Sequence, residues 1–259
     1  MKKQPFVLSG GGARGFAHVG VAQVLREAGI EPEAIAATSA GALVGAFLAG
    51  GMPPDEIRTL FIDQIKLTRM LRWNSIKTGL FTLQQLGDFL DKNLPSKTFE
   101  GLEIPFFVTA TNFETGKQQV FNSGDLIQPV LAACSIPAIF PAIVIDGVPY
   151  VDGGLSDNLP TALFADRKQD VIAVHVNPLA TIAESNSIAR IIDRSWLLST
   201  RRQILQSAEG CAMFIEPPGL TAFGMFDAHK LKEIYEIGYI FTQERLNING
   251  LKQTSTTFQ

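Results

Sequence analysis

The 259-residue sequence predicts a three-layer α/β/α fold around a mostly parallel central sheet. Three observations carry that expectation. Short apolar runs alternate with helix-period segments along most of the chain, as when strands are joined by helical crossovers. The first run, Phe6-Val7-Leu8, passes through glycines straight into a helical stretch, a strand-glycine-helix unit. Near residue 170, DVIAVHVN is apolar almost throughout, as in a strand covered on both faces.

The elements follow in order. PFVLS, residues 5–9, is the first strand. FAHVGVAQVLREAG, 16–29, sets Val21, Val24, Leu25 and Ala28 on one helical face and ends at Gly29. EAIAATS, 33–39, reads as a second strand, and AGALVGAFLAGG, 40–51, as a small-residue helix stopped by Gly50, Gly51, Pro53 and Pro54. From 53 to 95 the pattern is helical, with a capping box expected from Thr82 to Gln85. IPFFVTATNF and KQQVFNS are strands joined through ETG, and DLIQPVLAACS is a helix leading to IPAIFPA. AIVI and VPYV, separated by Asp-Gly, form a hairpin. Helices over roughly 186–208 and 227–248 flank a last strand, CAMFIEP. No linker, charge block or internal repeat divides the chain, so residues 1–259 are read as a single domain.

Composition narrows the function. A net charge of −3 with no basic stripe argues against a nucleic-acid partner. Only 18% of residues are charged and 46% are apolar, a balance that suits a well-filled or lipid-facing protein. Cys134 and Cys211 lie too far apart in sequence to form a multi-ligand metal site by themselves, and read as buried thiols in a reducing compartment. The apolar run in MKKQPFVLSGGG is too short for a signal segment, and no window reaches 18 uninterrupted apolar residues. The expectation is a cytoplasmic protein whose membrane contact is peripheral, at the inner face.

The chemistry sits in three glycine-rich spots. GGGARG, residues 10–15, fits the dinucleotide pattern G-x-G-x-x-G between strand and helix. That reading also wants an acidic residue closing the second strand, whereas Glu31 and Glu33 precede it. No Gly-Lys-Ser/Thr follows, which excludes a P-loop. The N–H groups of Gly11 and Gly12, at a positive helix end, are alternatively donors to a developing oxyanion. A tight turn with no ligand is the third reading.

AATSAGALVG puts Ser39 at a strand-to-helix junction. A nucleophile elbow requires small residues two before and two after the serine, and Ala37 and Gly41 meet that size rule, with Ala37 in place of the usual glycine. A serine there is equally a preferred helix N-cap. A nucleophile needs a base. His18, near the apolar side of the first helix, reads as packed, and His229, in DAHKLKE, as solvated. His175 comes late in a buried strand but has no orienting carboxylate near it in sequence. Asp152, in VDGGLSDNLP, ends a strand ahead of Gly153 and Gly154, which leave its carboxylate uncrowded; alone, Asp-Gly is also an ordinary turn.

GGGARGFAHVGV, TSAGAL and VDGGLSDNLP, in this order, resemble the patatin-like phospholipases, and CSIPAIFPA, 134–142, is similar to the segment ahead of that family's aspartate motif. The resemblance implies a Ser-Asp dyad without histidine on a three-layer sheet. Ser39 is then the nucleophile and Asp152 the base. Gly10, Gly11, Gly12 and Arg14 form the oxyanion hole, with Gly15, Ala37, Gly41, Gly153 and Gly154 supporting the motifs. No metal or cofactor is implied. The substrate is a lipid or other acyl ester: a phospholipid, a lysophospholipid or a relative. A soluble carboxylesterase or thioesterase on the same dyad, or a non-catalytic regulatory protein on the scaffold, remains open, as do head group, acyl chain and oligomeric state. Arg14 either supports the loop, attracts an anionic head group or forms a surface salt bridge. AMFIEPPGLTAFGMF, 212–226, is a loop over an acyl pocket or against a membrane, or packed core. FIDQIKLTRMLRW, 61–73, with Lys66, Arg69 and Arg72, is an amphipathic lipid-facing stretch or packed helix.

Overall fold

The computed structural model describes residues 1–64, 72–73, 81–179 and 188–255. Strand β1 (Lys2–Leu8) is flanked by β2 (Ile30–Thr38) and β9 (Ile172–Val174). Beyond β9 lies β10 (Met213–Ile215) and beyond β2 lies β5 (Phe106–Asn112), and all these neighbours pair in parallel. Past β5 the sheet turns antiparallel, through β6 (Gln118–Phe121) and the hairpin β7 (Ile143–Ile145) and β8 (Val148–Asp152). The hairpin turns through Asp146 and Gly147, both at positive φ (50° and 79°), the backbone that an Asp-Gly pair supplies.

Alternation along the strands makes the layers. Phe6 and Leu8, Ile35 and Ala37, Phe106 and Val108, and Ile172 and Val174 enter one apolar cluster. Against it pack α1 (Ala17–Glu27), α2 (Ala40–Ala49), α3 (Pro54–Gln64), α4 (Gln84–Asn93), α5 (Ile127–Ala133) and α7 (Leu231–Ser255). The intervening Val7, Ala36, Phe107 and Ala173 face the other way, onto Leu159, Phe164 and Ile204 of α6 (Ile188–Ala208). Both faces of the parallel strands are therefore buried, which is why they read as unbroken apolar runs. Helices α1 and α7 cross so closely that a Cβ on Gly20 would lie 2.3 Å from the Tyr235 carbonyl oxygen.

The 53–95 stretch, expected to be helical with a helix start at Thr82, is not helical throughout. Between α3 and α4 a short antiparallel pair forms, β3 (Arg72–Trp73) with β4 (Phe81–Thr82). Because Thr82 belongs to that pair, Leu83 takes the cap position of α4; Thr82 Oγ accepts only a long bond from the Gln84 N–H (3.4 Å), and the capping box with Gln85 does not form. Of the basic residues expected on the amphipathic stretch 61–73, Lys66 and Arg69 lie outside the described residues.

One detail of the sheet positions the site. β6 pairs with β5 along Val108–Thr111. Two further strands claim overlapping residues, β2 at Phe106–Thr109 and β8 at Ala110–Asn112, so both must lie on the other edge of β5. Since β2 runs parallel to β5 and β8 antiparallel, the two meet end to end. Thr38 stands opposite Thr109, and Asp152 opposite Ala110. The first residue past β2 is thereby brought against the last of β8.

Candidate active site

Ser39 is that first residue. Its backbone is held at φ 52° and ψ −127°, a left-handed conformation that costs a non-glycine residue on the order of 1–3 kcal/mol. It occupies the cap position of α2, where its carbonyl accepts the N–H groups of Ala42 and Leu43, but its hydroxyl makes no cap. The hydroxyl donates instead to Asp152 Oδ2 at 2.6 Å. Gly41 must be small, since a Cβ there would lie 2.5 Å from the Leu8 carbonyl oxygen. Ala37 sits within β2, opposite Leu8 and Val108, without a positive φ, so its methyl adds no backbone strain at the elbow.

Asp152 is held at every polar atom. Oδ1 accepts the Gly154 N–H (2.8 Å), its N–H donates to the Ser135 carbonyl (2.9 Å), and its carbonyl accepts the Thr111 hydroxyl (2.9 Å). The neighbouring Thr38 hydroxyl bonds the Asp157 carbonyl (2.9 Å), tying the elbow to the turn after β8. Gly153 has no room for a side chain: a Cβ would lie 2.2 Å from the Thr109 carbonyl oxygen. Burial pushes the Asp152 carboxyl up to about 6, against the lowering influence of its bonds from Ser39 and Gly154.

The glycine loop follows β1 on the same side. The Gly10 N–H donates to Asn158 Oδ1 (3.0 Å) and the Ala13 N–H to the Met225 carbonyl (2.8 Å). The N–H groups of Gly11 and Gly12 have no partner among the described residues. Within the expected oxyanion loop, Gly10 thus braces the backbone while Gly11 and Gly12 keep free donors. Gly15 packs on α2, where a Cβ would lie 2.4 Å from that of Ala40.

Of the roles expected of it, Arg14 fits support of the loop. It is 3% exposed, and its guanidinium forks onto Asp193 of α6 (2.7 and 3.2 Å) while also donating to the Phe223 carbonyl (3.3 Å). It is a buried clamp joining the loop to two later segments, neither a surface ion pair nor a free cation for a head group.

The histidines fall away from the dyad. His18 is buried with Nε2 bonded to the Ser9 carbonyl (2.8 Å), and burial lowers it to about 4, so it is neutral. His175 does have an orienting carboxylate, Glu216 (2.8 Å to Nδ1), itself gripped by Arg201, but it does not line the cleft around Ser39. His229 is exposed. The Cys134 thiol, pushed up by burial, donates to the Ser39 carbonyl (3.3 Å); Cys134 and Cys211 are both free and half-buried. Glu31 and Glu33 lie at the start of β2, far along the strand from Ser39, and Glu33 is bound by Arg167 (2.8 and 2.9 Å), so neither closes a ribose site. Segment 212–226 is no single loop: it opens with β10, and within it Met225 lines the cleft.

The cleft itself measures about 30 Å³, roughly the volume of one liquid water. Ser39, Asp152 and the glycine loop line it, with Ile136, Trp196 and Met225 beside them. Asn158, Asn177 and Trp196 also line it and were missed by sequence reasoning, although Asn158 stood inside the aspartate motif.

The family model for patatin-like phospholipases matches residues 6–165. The chain is 28% identical to lysophospholipase NTE1 of Coccidioides immitis, over 95% of its own length and 18% of that protein. It is 33% identical to an uncharacterised NTE family protein of Mycobacterium tuberculosis, over 72% of its own length and 54% of that protein. It therefore spans well under two thirds of either relative. Among solved structures, VipD from Legionella pneumophila has the same fold, with a TM-score of 0.61 at 16% identity, covering 95% of this chain and 66% of that one.

Proposed function

The chain belongs to the patatin-like phospholipase family, and from that premise we propose that it is a serine acyl hydrolase that cleaves carboxylic ester bonds of lipids through Ser39 and Asp152. The observation that carries the reading is the 2.6 Å bond from the Ser39 hydroxyl to a buried carboxylate, made by a serine with a strained backbone whose hydroxyl makes no cap. Asp152 Oδ2 takes the Ser39 proton as Oγ bonds the ester carbonyl carbon. The carbonyl oxygen becomes anionic beside the free N–H groups of Gly11 and Gly12. Collapse expels the alcohol, which carries off the proton from Asp152. Water, deprotonated by Asp152 in turn, bonds the acyl carbon, and the Oγ–acyl bond breaks to release the acid as Ser39 Oγ takes the proton back from Asp152. An elevated carboxyl suits a base without a histidine, since its basicity lies closer to neutrality than that of an ordinary aspartate.

A lipid substrate is supported by the cleft's surroundings. Leu155 and Phe226, each next in sequence to a residue at the site, are about half exposed (48% and 47%). Contact with the membrane would be peripheral, as no helix among the described residues is long and apolar enough to span one. We take residues 1–259 as one domain, because α6 and α7, beyond the matched segment, pack on the two faces of the same sheet.

A fluorophosphonate probe tests the chemistry. Labelling of the parent that is lost in Ser39→Ala and in Asp152→Asn is the expected result. A folded parent that does not label refutes the hydrolase reading and brings forward the regulatory one.

A further inference from the structure

Two carboxamides brace the glycine loop at Gly10, and each leaves half of itself unused. Asn177 Nδ2 donates to the Gly10 carbonyl (2.7 Å), and its Oδ1 has no partner; Asn158 Oδ1 accepts the Gly10 N–H (3.0 Å), and its Nδ2 has none. Gly10 fixes both orientations, because an N–H requires an oxygen and a carbonyl requires an N–H. Asn158 and Asn177 are 2% and 3% exposed, and both line the cleft. A buried donor without an acceptor is costly and rare in native folds.

The place of Asn158 gives that donor a use. A Cβ built on Gly10 would lie 2.5 Å from Asn158 Oδ1 and 2.9 Å from Ser39 Cβ. One built on Gly154 would lie 3.0 Å from Asn158 Oδ1 and 3.1 Å from Asp152 Oδ1. The carboxamide thus stands between the glycine loop and the dyad. The unused atom of Asn177 is an acceptor, which cannot stabilise an anion; that of Asn158 is an N–H donor, which can.

We propose that Asn158 is a further catalytic residue, a third oxyanion donor beside the N–H groups of Gly11 and Gly12. The proposal rests on the hydrolase reading above. As Ser39 Oγ bonds the carbonyl carbon and Asp152 takes the proton, the carbonyl π pair moves onto oxygen. Asn158 Nδ2 keeps both its protons and hydrogen-bonds that oxygen. Its Oδ1 meanwhile holds Gly10, so one side chain fixes the loop and contributes to the hole. An aspartate here would keep the brace but set a negative charge beside the developing anion.

The test uses a trifluoromethyl ketone, which forms an anionic hemiketal on an activated serine. In ¹⁵N-labelled protein, one Nδ2 proton of Asn158, identified by its absence in Asn158→Asp, is expected to move downfield when the hemiketal forms. Asn158→Ala and Asn158→Asp are expected to lose about 10²–10³-fold in kcat on a soluble nitrophenyl ester with KM little changed. They should weaken the ketone by a similar factor. A residue that only braced the loop would leave the proton in place. An unmoved proton, or a kcat equal to the parent's in Asn158→Ala, overturns the proposal. If the parent binds the ketone, Ser39→Ala does not and the proton is still, the hydrolase reading survives and this proposal alone fails. If the parent neither turns over ester nor binds ketone, both fall.

Discussion

At the scale of single residues, Asp152 sets a conflict between stability and chemistry. Its carboxyl is raised from 3.8 to about 6, so the folded state holds a proton that the unfolded state releases. Ionising it therefore destabilises the fold: the penalty is absent below pH 4, grows as pH rises through 6, and reaches about 3 kcal/mol above that. Asp152→Asn, which keeps the shape without the charge, is expected to unfold at higher urea than the parent at pH 8, with the difference closing by pH 4. The same ionisation is required of a base, so kcat/KM should rise with pH, about tenfold per unit, and level off above about 6. A profile flat between pH 5 and 8 would remove Asp152 from the role of base. Ser39 and Asp152 were legible in sequence because each sits in a contiguous motif at a strand end. The roles of Gly10 and Arg14 were not, because their partners Asn158 and Asp193 lie 148 and 179 positions away and nothing local announces them.

At the scale of elements, the cleft is lined by parts that Arg14 pins. Its about 30 Å³ is far below the several hundred that a lipid-sized ligand fills. Trp196 of α6 and Met225 after β10 narrow it, and Arg14 is bonded to α6 through Asp193 and to the β10 side through Phe223. Removing one partner of such a buried pair strands the other charge, so Asp193→Asn is expected to cost roughly 3 kcal/mol in urea unfolding. Arg14→Met with Asp193→Leu should recover most of it. A double variant weaker than both singles would show that the pair itself stabilises the fold. Most elements were readable from period and punctuation, as with the Asp-Gly hairpin and the Gly29 stop. The 53–95 stretch was not: Thr82 carries a capping signature, but pairing with β3 outweighs it, a tertiary contact overriding a local preference.

At the scale of the whole molecule, α6 carries a run of exposed apolar residues. Ile191, Leu198 and Leu205 recur every seven residues and so stack along one exposed stripe of α6, two turns apart. If that stripe lies on lipid, Leu198→Asp with Leu205→Asp should weaken co-sedimentation with phosphatidylcholine vesicles by at least about tenfold, given roughly 1–3 kcal/mol for each apolar side chain withdrawn. Hydrolysis of a soluble nitrophenyl ester should be unaffected. Vesicle binding equal to the parent's would place the lipid contact elsewhere. The layered architecture could be anticipated because both faces of β1, β2 and β9 are covered and their residues are apolar accordingly. The helical stripe could not, since a period-seven apolar row reads as core until the packing is known.

The end-to-end meeting of β2 and β8 on β5 also says something about assembly. Ser39 and Asp152 are 113 residues apart and belong to different kinds of unit, a parallel crossover and an antiparallel hairpin, that share no ladder of their own. A chain that has closed only its first crossover holds a strained serine with no base, chemically inert. Any reactivity at Ser39 therefore requires the hairpin on β5 as well as the crossover.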